Sequence, residues 1–165
     1  MTGFIGAGNM ATAMISALVS KKEFEEEKIA VFDVDGEKAK KLSEKFGVTV
    51  FESAVELSLN CDRIVLSVKP NVLPTVLSEI KNTVRKTEPL LISIAAGKTL
   101  AFVQDRLFDS ARLVRVMPNI NAVVGEAVSA FCGNENALAK DLAFVKKMCE
   151  CFGTAVELSE NMFPL

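Results

Sequence analysis

Three small residues, Gly6, Gly8 and Ala11, stand near the start of the chain in the run Phe4-Ile5-Gly6-Ala7-Gly8-Asn9-Met10-Ala11. The chemistry they offer is that of the main chain. A short apolar strand that turns at glycine into a helix presents free N–H groups at the helix's positive end, and such groups bind anions. The G-x-G-x-x-A spacing is that of the dinucleotide-binding fingerprint. Gly6 is expected to permit a tight turn, Gly8 to let backbone approach a pyrophosphate, and Ala11 to let the helix pack near its strand. Asp33 closes the apolar run Ile29-Ala30-Val31-Phe32 and lies 22 positions after Ala11, about where a carboxylate for ribose hydroxyls is expected.

Other chemistries are thinly supplied. The 165 residues include no histidine, which excludes Ser-His and Cys-His nucleophilic schemes and removes the commonest general acid/base. Cys61, Cys132, Cys149 and Cys151 have neither zinc-site spacing nor a C-x-x-C pair, so reduced thiols and no metal are expected. A net charge of −2 gives nucleic acid no electrostatic reason to bind. Half the residues are apolar, yet no run approaches the roughly 18 of a membrane span, and no basic stretch precedes the first apolar segment. The expectation is one soluble, cytoplasmic domain with a small-molecule ligand and no membrane or nucleic-acid partner.

The elements that must position these groups follow in order. Met10, Ala11, Met14, Ile15, Ala17 and Leu18 mark one face of a first helix, and Lys21 to Lys28 a charged turn. Asp35 is expected to cap a helix through Ala39, Leu42 and Phe46 that Gly47 stops; Val48–Phe51 is a short strand, and Ser53 caps a helix to about Leu59. Arg63–Val68 and Pro89–Ile94 read as buried strands, separated by a helix containing Val72, Val76, Leu77 and Ile80. Ala95-Ala96-Gly97 leaves room for something flat before a helix from about Thr99 to Leu107. Then come Arg112–Met117, a break at Pro118-Asn119, a loop to Gly125, a strand Ala127–Cys132, a helix from about Asn136 to Cys151 and a last strand Gly153–Leu158. This alternation indicates a mostly parallel α/β sheet, with the loops after Ile5, Asp33, Ser67 and Ile94 along one edge.

Taken together, the blocks resemble those of Δ1-pyrroline-5-carboxylate reductases, which make proline. Phe4 to Ala11 resembles that family's opening, Ser67-Val68-Lys69-Pro70 its A-V-K-P segment and Ser93-Ile94-Ala95-Ala96-Gly97 its S-x-A-A-G segment. Arg115-Val116-Met117-Pro118-Asn119, with Val124-Gly125-Glu126, resembles its R-x-M-P-N-T-P-x-x-x-G-E segment. The resemblance implies a Rossmann-like doubly wound sheet with helices on both faces. It also implies that Ile5, Gly6, Ala7, Gly8, Asn9 and Met10 wrap the pyrophosphate of NAD(P)H and that Asp33 lies by the adenosine ribose. Ser67, Val68, Lys69 and Pro70, with Ile94, Ala95, Ala96 and Gly97, would border ribose and nicotinamide; Met117, Pro118 and Asn119 would approach the substrate. Read without the family, Pro70 starts a helix, Met117 fills core and Asn119 stabilises a turn, and those readings stay open.

The implied reaction is hydride transfer to the cyclic imine of 1-pyrroline-5-carboxylate, giving L-proline, with the cofactor half at 1–158 and 159–165 beginning a linker to a helical domain not contained here. That domain would supply the homo-oligomer interface and help hold the substrate, so this chain alone could be monomeric and inactive. No residue is assigned as proton donor. Ile120-Asn121 replaces the family's Thr-Pro, removing a hydroxyl and a rigid turn. Asp33 followed by Val34 favours NADH over NADPH, although Lys38 and Lys40 are near in sequence. A free-standing dinucleotide-binding regulatory module and a β-hydroxy acid dehydrogenase-like reductase are the alternatives.

Overall fold

A computed structural model describes residues 1–25, 27–119 and 127–164. Residues 120–126, which include the Ile120-Asn121 departure and the Val124-Gly125-Glu126 block, lie outside the described residues, as do Glu26 and Leu165. Strands β1 (Thr2–Ile5), β2 (Ile29–Phe32), β3 (Thr49–Val50), β4 (Arg63–Leu66), β5 (Leu90–Ser93), β6 (Leu113–Met117), β7 (Ala127–Gly133) and β8 (Gly153–Glu157) form one sheet, in the order β3-β2-β1-β4-β5-β6-β7-β8. β1 to β6 run parallel; β7 is antiparallel to β6, and β8 runs parallel to β7.

Helices cover both faces, as buried parallel strands require. On one face α1 (Asn9–Val19), α2 (Gly36–Phe46) and α6 (Ala139–Glu150) share a core with Phe4, Val31, Val65, Ile92, Val114 and Phe131. On the other, α3 (Ala54–Asn60), α4 (Leu73–Thr87) and α5 (Leu100–Asp105) pack on Ile5, Ala30, Ile64, Leu66, Leu91 and Leu113. Alternate residues of each strand therefore serve opposite cores, the period-2 rule of the pleat. α1 buries Ala11, Met14, Ile15 and Leu18, the stripe expected from its spacing, while Met10 and Ala17 are half-buried.

Helix ends carry the chemistry expected of them. The Asp35 carboxylate accepts from Glu37 N, Gly47 ends α2 in the left-handed region, and the Ser53 hydroxyl accepts from Glu56 N. Other boundaries move. α5 begins one residue later than expected, because Thr99 is its cap and accepts from Phe102 N at 3.0 Å. α6 begins at Ala139 rather than Asn136, since the Asn136 side chain donates to the carbonyls of Asp109 (2.6 Å) and Ala111 (3.0 Å). Val72 is the exposed cap of α4 rather than part of its buried stripe. The charged turn hides a core residue, Phe24, in a 3-10 turn that packs edge-on against Phe144.

The residues after β8 lie against the sheet. A 3-10 turn at Glu160–Met162 is followed by Phe163, buried in the second core, while Met162 is exposed. The segment 159–163, expected to begin a linker, thus packs onto the domain.

Burial also sets the thiols. It pushes Cys61 and Cys132 from their ordinary 9.0 up to about 11, and Cys149 up to about 12. A thiol raised by folding contributes stability that is intact below pH 9.0 and lost as pH climbs through the folded values. The urea midpoint is expected to fall from pH 9 toward pH 11, and to fall less in Cys149→Ala; equal slopes in the two proteins would refute this.

Candidate functional site

One row of strand ends defines the site. Ile5 pairs with Phe32 on one side and Leu66 on the other, Leu66 with Ser93, Ser93 with Arg115, and Arg115 with Cys132. The strand order reverses between β1 and β4, so the connections leaving these two strands run to opposite sides and open a crevice there. Above the row, β6 continues through Met117, and β8 pairs only along Ala127–Phe131. β7 and β8 therefore project past the carboxyl ends of the parallel strands as a wall at one side of the crevice.

The glycine turn fills the crevice floor. Gly6 has φ +108°, and a Cβ built there would come within 2.6 Å of the Ser67 carbonyl oxygen. The ladder continues one step past the strands, with Gly6 N donating to Phe32 O (2.8 Å) and Ser67 N to Ile5 O (2.9 Å). The Ser67 hydroxyl donates toward the carbonyls of Gly6 (2.8 Å) and Ile5 (3.0 Å). β4 accordingly ends at Leu66, and Ser67 and Val68, expected as strand, already belong to the loop.

Gly8 is the N-cap of α1, with extended backbone and no side-chain capping bond, and a Cβ built on it would meet nothing within 4 Å. The first helical bond, Thr12 N to Gly8 O at 2.9 Å, leaves the N–H groups of Asn9, Met10 and Ala11 without a helical acceptor. The first turn of α1 contains no acid. Open space, spare donors and the positive end of an eleven-residue helix coincide at one point, and this fits a phosphate group. Ala11 is fully buried beneath it.

Asp33 stands just past β2, half-buried, and spans the turn. Its Oδ2 accepts from Ala7 N at 2.7 Å and its Oδ1 from Asp35 N at 2.8 Å. Ala7 N is therefore committed to Asp33, while the remaining lone pairs of the carboxylate are open to hydroxyl donors. Val34 beside it is 94% exposed, and the Lys40 ammonium is 4.0 Å from Glu44.

Across the crevice, Lys69 and Pro70 follow Ser67, and the Lys69 carbonyl accepts from Val72 N and Leu73 N at the start of α4. Ile94 N donates to Leu66 O, Ala95 is buried, and Ala96 and Gly97 form an exposed turn in which Gly97 has φ +71°. Met117 is 37% exposed at the top of β6, with Pro118 and Asn119 beyond it. Met117 is thus not simply core filler. The strand ends bring Gly6, Gly8, Asp33, Ser67 and the Ile94–Gly97 turn to one edge.

Sequence reasoning missed two parts of the site. The Ser67 hydroxyl holds the glycine turn, a contact between residues 61 positions apart with no local signal. Glu160, two residues past the last strand expected, accepts from Leu100 N at 2.7 Å and from Arg115 Nη1 at 3.2 Å.

A doubly wound sheet with this turn, this acid and this switch point has the architecture of a dinucleotide-binding domain. The chain belongs to the family described as NADP oxidoreductase, coenzyme F420-dependent, whose family model matches residues 1–97. It is 38% identical over 160 residues to a pyrroline-5-carboxylate reductase of Methanosarcina acetivorans, covering 97% of this chain and 59% of that relative. Among solved structures, a pyrroline-5-carboxylate reductase from Coxiella burnetii superposes with TM-score 0.90 at 28% identity, over 96% of this chain and 58% of that one. A Plasmodium falciparum pyrroline carboxylate reductase with NADP bound superposes with TM-score 0.84 at 27% identity, over 96% of this chain and 57% of that one. The chain thus spans somewhat more than half the length of these relatives. Among the described residues no helix is long and apolar enough to cross a membrane.

The two glycines are expected to fail differently. Gly6→Ala should lose about 2 kcal/mol or more of stability in urea denaturation, because a side chain at positive φ meets fixed backbone. Gly8→Ala should stay within about 1 kcal/mol of the parent, yet bind dinucleotide about tenfold more weakly in a fluorescence titration. The reverse pattern would sink the assignment of roles.

Proposed function

We propose that this chain is the cofactor-binding part of a pyrroline-5-carboxylate reductase. The observation that carries the reading is the open Gly8 cap above the spare N–H groups of α1, bridged from the ribose side by Asp33. Asn9, Met10 and Ala11 N–H groups would hold the pyrophosphate, with Gly8 leaving room for it. Ile5, Gly6 and Ala7 shape that turn, and Ser67 braces it. Val68, Lys69 and Pro70, facing the Ile94-Ala95-Ala96-Gly97 turn, would border the ribose and the nicotinamide.

When bound, the nicotinamide cofactor supplies a hydride. What this chain contributes is orientation. Small residues at 95–97 admit a flat ring, and Met117, Pro118 and Asn119 lie on the neighbouring strand end, where they would meet a small cyclic imine. The identity to the Methanosarcina acetivorans relative supports 1-pyrroline-5-carboxylate as that imine. The cofactor unit is residues 1–158 with 159–163 packed onto it, ahead of a substrate-binding part. Joining this chain to the C-terminal part of that relative is expected to give pyrroline-5-carboxylate-dependent NAD(P)H oxidation that this chain alone lacks. Turnover of β-hydroxy acids instead, or of nothing despite bound cofactor, would overturn the reading.

NADH is the proposed coenzyme. The Asp33 carboxylate would repel a 2′-phosphate, Val34 beside it offers no cation, and Lys40 already faces Glu44. Titration of the purified chain should show NADH bound about tenfold more tightly than NADPH, with the preference narrowed or reversed in Asp33→Ser combined with Val34→Arg. Tighter NADPH binding by the parent chain would contradict it.

A further inference from the structure

The turn Ile94–Gly97 is tied at its strand end, where Ile94 N completes the ladder to Leu66 O at 3.2 Å. Past that point its own bonds are long: Ala95 N to Ser93 Oγ and Lys98 N to Ala95 O are each 3.4 Å. The helix that should fix the far end, α5, has six residues, too few to be stable by its own hydrogen bonds. The Thr99 cap and the burial of Leu100 and Val103 hold it locally, and a residue distant in sequence adds a tether. The Glu160 carboxylate accepts the N–H of Leu100, the first residue of α5, at 2.7 Å, a charge-assisted bond to a group with no helical acceptor.

Glu160 is itself held. Its Oε2 also accepts from Arg115 Nη1 at 3.2 Å, and the Arg115 side chain is 8% exposed. The guanidinium lies over the Phe163 ring, 4.8 Å from its centroid. Arg115 stands opposite Ser93 in the sheet register, beside the strand end from which the turn departs, and two residues before Met117. One oxygen of Glu160 thus joins the strand carrying Met117, the helix after the turn, and the segment that crosses the sheet after β8.

We infer that Glu160, held by Arg115, is a positioning residue for the nicotinamide-side turn Ile94–Gly97. The inference rests on the dinucleotide reading of the site. It also gives the arginine of the R-x-M-P-N block a role, since Arg115 neutralises and orients Glu160. A latch that merely stabilised the fold would affect every ligand alike. A device that sets the turn affects only ligands that reach it.

NADH and ADP-ribose separate the two, because ADP-ribose engages the glycine turn and Asp33 but lacks the nicotinamide. In calorimetric titrations of the chain, Glu160→Ala is expected to weaken NADH about fivefold to tenfold and leave ADP-ribose within about twofold of the parent. Glu160→Gln keeps an acceptor for Leu100 N and is expected to recover most of the loss. Amide exchange gives a ligand-free readout, with Leu100 N–H protected in the parent and exposed to faster exchange in Glu160→Ala. If Glu160→Ala does not fold, Arg115→Lys replaces it and is expected to weaken NADH more than ADP-ribose. Unchanged NADH affinity in a folded variant, or equal weakening of both ligands, would overturn the inference. Failure of the parent chain to bind ADP-ribose would overturn the dinucleotide reading itself, and this inference with it.

Discussion

The approach of Gly6 to the Ser67 carbonyl is the constraint on which the site depends. At 2.6 Å from an added Cβ, the two main chains touch where β1 and β4 end, at the one place in the sheet where the strand order reverses. Doubly wound sheets bind ligands at such a point because the connections part there and nothing covers the strand ends. In this chain the parting is narrowed by a glycine in a conformation other residues rarely adopt, and the Ser67 hydroxyl closes the contact from the other side. The direction in which α1 sets out follows from that contact, and the place of its free N–H groups follows from the direction.

Asp33 adds a second constraint of a different kind. Its carboxylate binds the Ala7 N–H, so the acid that suits a ribose also fixes the turn that suits a phosphate. Removing the side chain would release an amide at the turn as well as remove the proposed ribose contact. Binding and shape are coupled at this position, whereas Gly8 contributes space alone.

Much of this was legible in the sequence where the physics is local. The turn, the face of α1, the caps Asp35 and Ser53 and the acid after β2 each follow from spacing within a few residues, and the structure has them as expected. The sheet as a whole was legible through strand alternation. Strand ends were less so: Ser67 has the composition of strand but turns away, because its hydroxyl finds the carbonyls of another strand. The reversal of β7 against β6 has no signature in apolar patterning, since hydrophobicity does not encode direction. Glu160 was illegible for the same reason as Ser67. Its partners lie 60 and 45 positions away, and nothing near it in the chain distinguishes it from a solvated acid.

The spacing of those partners bears on when the domain becomes complete as it is made. The phosphate end of the crevice needs only β1, β2 and β4 and the turns between them, all contained in the first 67 residues. The opposite end waits for residue 160, which must emerge before α5 acquires its anchor. Because chains are synthesised from the N-terminus and domains fold largely as units, the binding edge is complete only once residue 160 has emerged. The last strand and the crossing that follows it are thus the final stitches that close the fold.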